Sequence, residues 1–355
     1  MTIKKFMHFL FCFIVTLGVA TPAFAWQNDS EQPGSVLVFH KFIRGTYNDF
    51  VNQQTVQART EIEISVRCPE GAACTKDTVV RMRAHWVCPG CTETSFDLKT
   101  TVNGSLYFNP EGVTVLGNLV TANAFPNNAT TTIAVPNCPR GYLIVWVIND
   151  QGQAIKYDGL IGDAVLREGT TPQEWVSARS YNAVPIQAAD WLSTGDPTDL
   201  DWQGDLDFDG SEYRPITGKI FGTVRYEDLV APFTVQTYLT LLTLDVVANR
   251  ANPVTTVGLN FYTTGEDLVD AATSFLCWAE VRLTTINSTF TDVSMGRKGL
   301  LESTYAEQQL DFFTSVPVTL LGIVETKEFI AGFQYRDYSY SLYNDGNPVE
   351  TTFKP

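Results

Sequence analysis

The chain has 355 residues, 44% hydrophobic and 18% charged, with a formal net charge of −15. Abundant aromatic and β-branched residues with few charges exclude global disorder. An acidic balance argues against nucleic acid and anionic membrane surfaces, which attract Lys and Arg.

Lys4 and Lys5 precede a largely apolar run from Phe6 to Ala20, and Ala23-Phe24-Ala25 supplies the small-x-small pattern at which an export leader is cut. Residues 1–25 are therefore expected to be a signal peptide, with the mature chain starting at Trp26. Loss of the two lysines takes the charge from −15 to about −17. Cys12 sits mid-run behind bulky Phe11, unlike a lipidation site. No later run reaches the roughly 18 apolar residues of a membrane helix, so no integral span is expected. The location implied is secreted, extracellular or cell-surface, with the periplasm as the other oxidising option.

Alternation of apolar and polar residues dominates the rest of the chain. Ser35–Ile43, Glu61–Arg67 and Val79–Val87 read as strands. Ile62, Ile64 and Val66 face one way while Glu61, Glu63 and Ser65 face the other, as on a half-buried sheet. Tyr142–Ile148 is nearly all apolar and reads as a central strand, with Asn149 to Gly152 as a turn and Ala154–Leu160 returning antiparallel. Thr171-Pro172-Gln173-Glu174 looks like a helix N-cap with proline in first position, predicting a short helix through Trp175. Asp190 to Arg214 is rich in Asp, Gly, Pro and Thr and reads as a boundary. Beyond it, Lys219–Tyr226, Tyr238–Val247, Thr256–Tyr262, Phe275–Thr285, Val318–Val324 and Phe329–Tyr335 are predicted strands, and Ser303–Phe313 a second short helix.

Many strands at this spacing predict a mainly β fold: two antiparallel β-sandwich-like domains with one or two short helices. The expected division is residues 26–189 as an N-terminal β domain, 190–214 as an acidic linker or hairpin, and 215–355 as a C-terminal β domain.

Six cysteines lie beyond the leader: Cys68, Cys74, Cys88, Cys91, Cys138 and Cys277. In an exported chain an even number reads as disulfides, although six allow 15 connectivities. Proximity suggests Cys68 with Cys74 and Cys88 with Cys91, leaving Cys138 for Cys277 to tie the halves together. Cys88-Pro-Gly-Cys91 also has redox-motif spacing, and with Cys68 and Cys74 it offers four thiolates for zinc. A strand before it and Pro-Gly turn chemistry within it favour a bridged hairpin.

Several stretches resemble an uncharacterised family of secreted bacterial β-rich proteins. These are Gly34–Phe39, Gly141–Ile148, Tyr157–Asp163 and Phe208–Tyr213. The likeness implies architecture and export, and carries no activity with it.

Asp205-Leu-Asp207-Phe-Asp209-Gly210 places three carboxylates where a calcium loop uses its first, third and fifth positions, with glycine sixth. Position 12 would be Ile216, which cannot supply the closing carboxylate, although Glu212 or upstream Asp196, Asp199 and Asp201 stand near. The other reading is a strand with Leu206 and Phe208 inward and the aspartates solvated, ended by an Asp-Gly turn. Only two histidines lie beyond the leader, His40 and His85, both within predicted strands. No H-E-x-x-H, G-x-S-x-G or phosphate-binding glycine loop occurs. A glycosidase carboxylate pair needs no local motif, and 39 acids name none. Tyr335, Tyr338, Tyr340 and Tyr343 crowd the C-terminal end, with Tyr338 and Tyr340 on one face of an extended segment. Exposed, they would contact a glycan or partner protein; buried, they are sheet aromatics. The function expected is a non-catalytic surface protein, structural or adhesive, assembling with itself or with other surface proteins. The rival is a carbohydrate-binding module or a glycan hydrolase. An outer-membrane barrel fits less well, because the chain ends in Phe353-Lys-Pro355 rather than on an aromatic residue.

Overall fold

The computed structural model describes residues 31–49, 54–111, 119–125, 130–171, 174–189, 206–208, 210, 212–244, 254–309, 314–331, 333–349 and 352–353. The expected leader and residues 190–205 therefore lie outside the described residues, as do Asp209 and Pro355.

The first half holds β1 (Val36–Ile43), β2 (Gly45–Asp49), β3 (Gln54–Val66), β4 (Val79–Val87), β5 (Glu93–Thr101) and β6 (Ser105–Phe108). It continues with β7 (Leu119–Phe125), β8 (Thr130–Ala134), β9 (Arg140–Ile148), β10 (Leu160–Thr171), β11 (Glu174–Asn182) and β12 (Val184–Ile186). The second half opens with β13 (Leu206–Asp207), β14 (Ile216–Arg225), β15 (Phe233–Leu242), β16 (Thr255–Tyr262), β17 (Leu268–Phe275) and β18 (Trp278–Arg282). Two single-turn helices come next, α1 (Leu283–Ile286) and α2 (Asp292–Met295). Then come β19 (Lys298–Gln309), β20 (Ser315–Pro317), β21 (Leu321–Ile330), β22 (Phe333–Ser341), β23 (Tyr343–Val349) and β24 (Thr352–Phe353).

The mainly β class holds, with 65% strand against 3% helix. Four larger antiparallel sheets account for it. Sheet one runs β12-β1-β9-β4-β5, and sheet two β11-β10-β3-β6-β7-β8 with β2 beside β3. Sheet three runs β17-β16-β19-β14-β23 with β20 beside β19, and sheet four β18-β15-β21-β22. β13 pairs with β24.

The arrangement corrects the expectation of two sandwiches: the four sheets form a four-blade, propeller-like ring. The physical reason lies in sheet one. A sandwich sheet has one solvated face, but β1 is buried at every position and β9 at all but its first. Leu37, Phe39, Leu143 and Val145 pack on Ile62, Ile64 and Leu166 of sheet two. From the opposite face, Val36, Val38, Ile144 and Trp146 pack on Leu206, Phe208, Leu242, Trp278 and Leu321 of the second half. A third core joins Ile220, Val257 and Leu301 of sheet three to Leu239, Leu241 and Val324 of sheet four. Each Leu, Val or Phe so buried contributes about 1.5–3 kcal/mol, and in the middle core that burial joins the halves.

Neither predicted helix forms among the described residues. Thr171 and Glu174 are instead paired across the β10–β11 hairpin, whose register continues to Asp163 opposite Asn182. Ser303 to Gln309 belongs to β19, where Leu259 faces Ser303 and Gly258 faces Tyr305, so that Thr304 is an extra residue. The extra residue shifts the alternation, so that Leu301 and Ser303 before it and Ala306 and Gln308 after it are all buried. After Asn149 the chain returns only as far as a bridge between Ile148 and Ala154. Leu160 then pairs with Val66 of β3 instead.

All six cysteines are bridged, as Cys68–Cys74, Cys88–Cys138 and Cys91–Cys277. The first agrees with the sequence reading, and the other two correct it. Cys88 and Cys91 flank one tight turn, with Cys91 N–H donating to Cys88 O. Their side chains nevertheless serve opposite faces of sheet one. Cys138, the partner of Cys88, packs against the first core, whereas Cys91 and Cys277 meet at the middle core. A bridge does tie the halves, through Cys91 rather than Cys138.

Candidate functional site

Two features stand at the seam between the halves, and the first starts from an irregularity in β1. Pairing with β9 runs in register to Phe39 opposite Leu143, then shifts, resuming at Phe42 opposite Gly141. A bulge at His40 and Lys41 re-aims both side chains. Trp278 Nε1 donates to the His40 carbonyl at 2.8 Å, and Tyr181 Oη accepts from Lys41 N at 3.1 Å while donating to Lys41 O.

Lys41, 1% exposed, is thereby directed to the meeting place of three sheets, where it pairs with Glu280 and Glu325. Arg179, also 1% exposed, pairs with Glu325, with Glu168 at 2.6 Å and with Asp337 at 3.1 Å. Lys327 reaches Glu168 at 2.8 Å, and Arg140 reaches Glu280 at 2.6 Å. Tyr47 donates its hydroxyl to Glu168. Among the described residues four cations thus meet four anions, so the cluster has no surplus charge with which to hold an ionic ligand.

Burial alone would push the Glu168 and Glu325 carboxyls up. Arg179 overrides it in both, assisted at Glu168 by Lys327 and then Lys41, and at Glu325 by Lys41 and then Lys327. Glu168 is held well below the usual carboxylate range and Glu325 at about 2. Both carboxyls stay charged at neutral pH. Removing one partner of such a buried set costs about 3–5 kcal/mol, because its partner is left charged in a dry site.

His40 is different. It is fully buried, neither ring nitrogen has a hydrogen-bond partner among the described residues, and burial drops its pKa to about 3. It is neutral at any physiological pH. The other histidine, His85, sets Nδ1 2.8 Å from Glu93 Oε2 beside the Trp146 ring.

Beyond Arg179, β11 borders the second feature, a cleft of about 680 Å3 between β11–β12 and β22–β23. Its walls include Tyr181 and Tyr340, and its polar groups Ser180, Asn182, Ser341 and Asn344. Tyr340 donates its hydroxyl to Thr223 O, and Asn344 Nδ2 donates to Leu320 O at 2.8 Å. At the rim stands Tyr343, 69% exposed, stacked on Phe221 with ring centres 5.4 Å apart.

Tyr338 and Tyr340 do share a face, with rings nearly parallel at 6.4 Å. Both are half-buried. Tyr340 lines the cleft and Tyr338 does not, whereas Tyr343 is the exposed ring. Of the acidic triplet only Asp207 is described, in β13, with Leu206 and Phe208 buried in the middle core. Asp205 and Asp209 lie outside the described residues, with Asp196, Asp199 and Asp201. Among the described residues no three His, Cys, Asp or Glu side chains converge as a metal group. No described helix is long and apolar enough to cross a membrane.

Sequence reasoning passed over the ion network. Its signal was present: His40-Lys41 interrupts an apolar strand, and Glu325 and Lys327 interrupt the run from Leu321 to Ile330. Charges inside apolar strands need buried partners.

No family model and no curated protein matches the chain. Among solved structures, tripeptidyl peptidase 2 aligns over 91% of this chain at 9% identity and a TM-score of 0.17. The alignment spans only 31% of that enzyme. The viral chemokine binding protein R17 of rodent gammaherpesvirus Peru aligns over 85% of this chain and 88% of its own, at 8% identity and a TM-score of 0.14. Likenesses at that level carry no functional argument.

Proposed function

We propose that this is an exported, non-catalytic surface protein, structural or adhesive, which assembles with itself or with other surface proteins. The observation that carries the reading is the weld between its halves. The Cys91–Cys277 bridge, the middle core and the ion pairs from Lys41 and Arg179 to Glu325 all cross the seam. Disulfides persist in oxidising compartments, which supports export, as does the leader-like N-terminus. The buried acids and bases of the ion network are turned onto one another and charge-balanced. That suits a rigid structural body better than a reaction centre, where such groups face a cavity with shifted and unmatched protonation.

Fractionation and electron microscopy of the producing cells, with and without the gene, test this. The expected result is protein at the surface, in a layer, filament or cell-to-cell contact that the deletion removes. Cytoplasmic retention, or turnover of a small substrate by the purified protein, would overturn it.

A further inference from the structure

Resting on that reading, we infer that the cleft between β11–β12 and β22–β23 is the adhesive site, and that it takes a neutral saccharide. Its volume of about 680 Å3 falls within the roughly 300–1,000 Å3 of small-ligand sites. The described lining supplies neutral hydroxyl and amide groups, Ser180, Asn182, Ser341 and Asn344, and contains neither Lys nor Arg. Sugar hydroxyls both donate and accept, and such groups match them in either role.

Aromatic surface completes the match. Sugar rings carry an apolar C–H face, which stacks on a tyrosine ring while the hydroxyls are bonded at the edges. Tyr340 and Tyr181 have their hydroxyls committed to Thr223 O and Lys41 O, so they are fixed walls. Tyr343 is a large aromatic left 69% exposed, and Phe221, 36% exposed, supports it from behind. An exposed aromatic ring at the mouth of a cleft that carries hydroxyl and amide groups, stacked on a second ring outside the cleft, is a platform ready for a sugar face.

Charge narrows the class. The nearby cations Lys41 and Arg179 are each 1% exposed and engaged by Glu325 and its neighbours, so neither faces the cleft. Among the described residues of the lining, the only charged one is Glu31. Sialylated, sulfated or phosphorylated glycans would find no counter-charge there. Neutral hexose chains meet no such penalty.

The test uses the intact disulfide-bonded protein on an array of neutral, sialylated and sulfated glycans, followed by calorimetric titration of the best neutral oligosaccharide. Tyr343→Ala and Asn182→Ala are compared with wild type, with thermal melting to show that each variant folds. Selective binding to neutral glycans is expected, with about a tenfold or greater rise in Kd for Tyr343→Ala at unchanged Tm. No neutral binding, preference for anionic glycans or for peptides, or binding indifferent to both substitutions would overturn the site. Surface localisation without glycan binding would sink the saccharide and leave the adhesive reading standing. Hydrolysis of a bound glycan would support the site and sink the non-catalytic reading.

Discussion

His40 and Glu325 are buried within the same seam and answer acid differently. The folded state holds His40 neutral down to about pH 3, while the unfolded chain takes up a proton near pH 6.5. Its contribution is therefore complete above pH 6.5 and erodes as pH falls below it, by at most about 1.4 kcal/mol per pH unit. Glu325, with its carboxyl at about 2 when folded against 4.5 otherwise, starts to lose its contribution only below about pH 4.5, and Glu168 goes in the same direction. Denaturant titrations at closely spaced pH should show two successive declines. His40→Phe should abolish the first decline and keep the second, since an apolar ring at that position has nothing to protonate. Glu325→Gln leaves Lys41 and Arg179 short of an anion and should cost about 3–5 kcal/mol at pH 7. An acid profile of His40→Phe that retains the decline between pH 6.5 and 4.5 would assign it to another group.

At the scale of elements, most of the predicted strands came through because their alternation is a local property, although Phe275–Thr285 and Phe329–Tyr335 each run across a strand end. Val79–Val87 is β4 to the residue, and Thr256–Tyr262 is β16 less one. What failed were places where tertiary partners overrule local preference. Glu325-Thr-Lys-Glu328 reads as a polar break between two strands, yet β21 runs through it without interruption. Its charges are tolerated inside because β1, β10 and β11 bring Lys41, Glu168 and Arg179 to meet them, and no local pattern encodes that meeting. The cleft was half legible. Its tyrosines stand out in the sequence, but the exposed one is set by the switch at Leu342, where the chain passes from sheet four into sheet three. The bulge in β1 offers a direct test of such an element. Opposite its end lies Gly141, where an added Cβ would overlap the carbonyl oxygen of Val87 and press on the Phe42 ring. Gly141→Ala should cost about 1–3 kcal/mol by forcing β9 away from β4. Unchanged stability in urea unfolding would mean that the strands are spaced more loosely than this.

For the whole molecule the question is whether two halves behave as one. The bridge Cys91–Cys277 closes a loop of 186 residues, the longest of the three, so it restrains the unfolded chain more than the others. Replacing both cysteines by serine should lower stability by about 2–5 kcal/mol. The bridge is nevertheless only one of three ties. The middle core still buries Val36, Tyr142 and Trp146 against Leu242, Trp278 and Leu321, and the ion network still spans the seam. Neither half can expose that surface without exposing the other's. The double variant should therefore unfold in one transition, coincident by tryptophan fluorescence and circular dichroism. Its urea midpoint should fall with the slope preserved or slightly raised as the unfolded chain loosens. Thiol counting on the denatured, unreduced wild type should find no free thiol among the six. A variant that instead unfolds in two steps, one per half, would show that the covalent tie, rather than the shared core, makes the molecule cooperative.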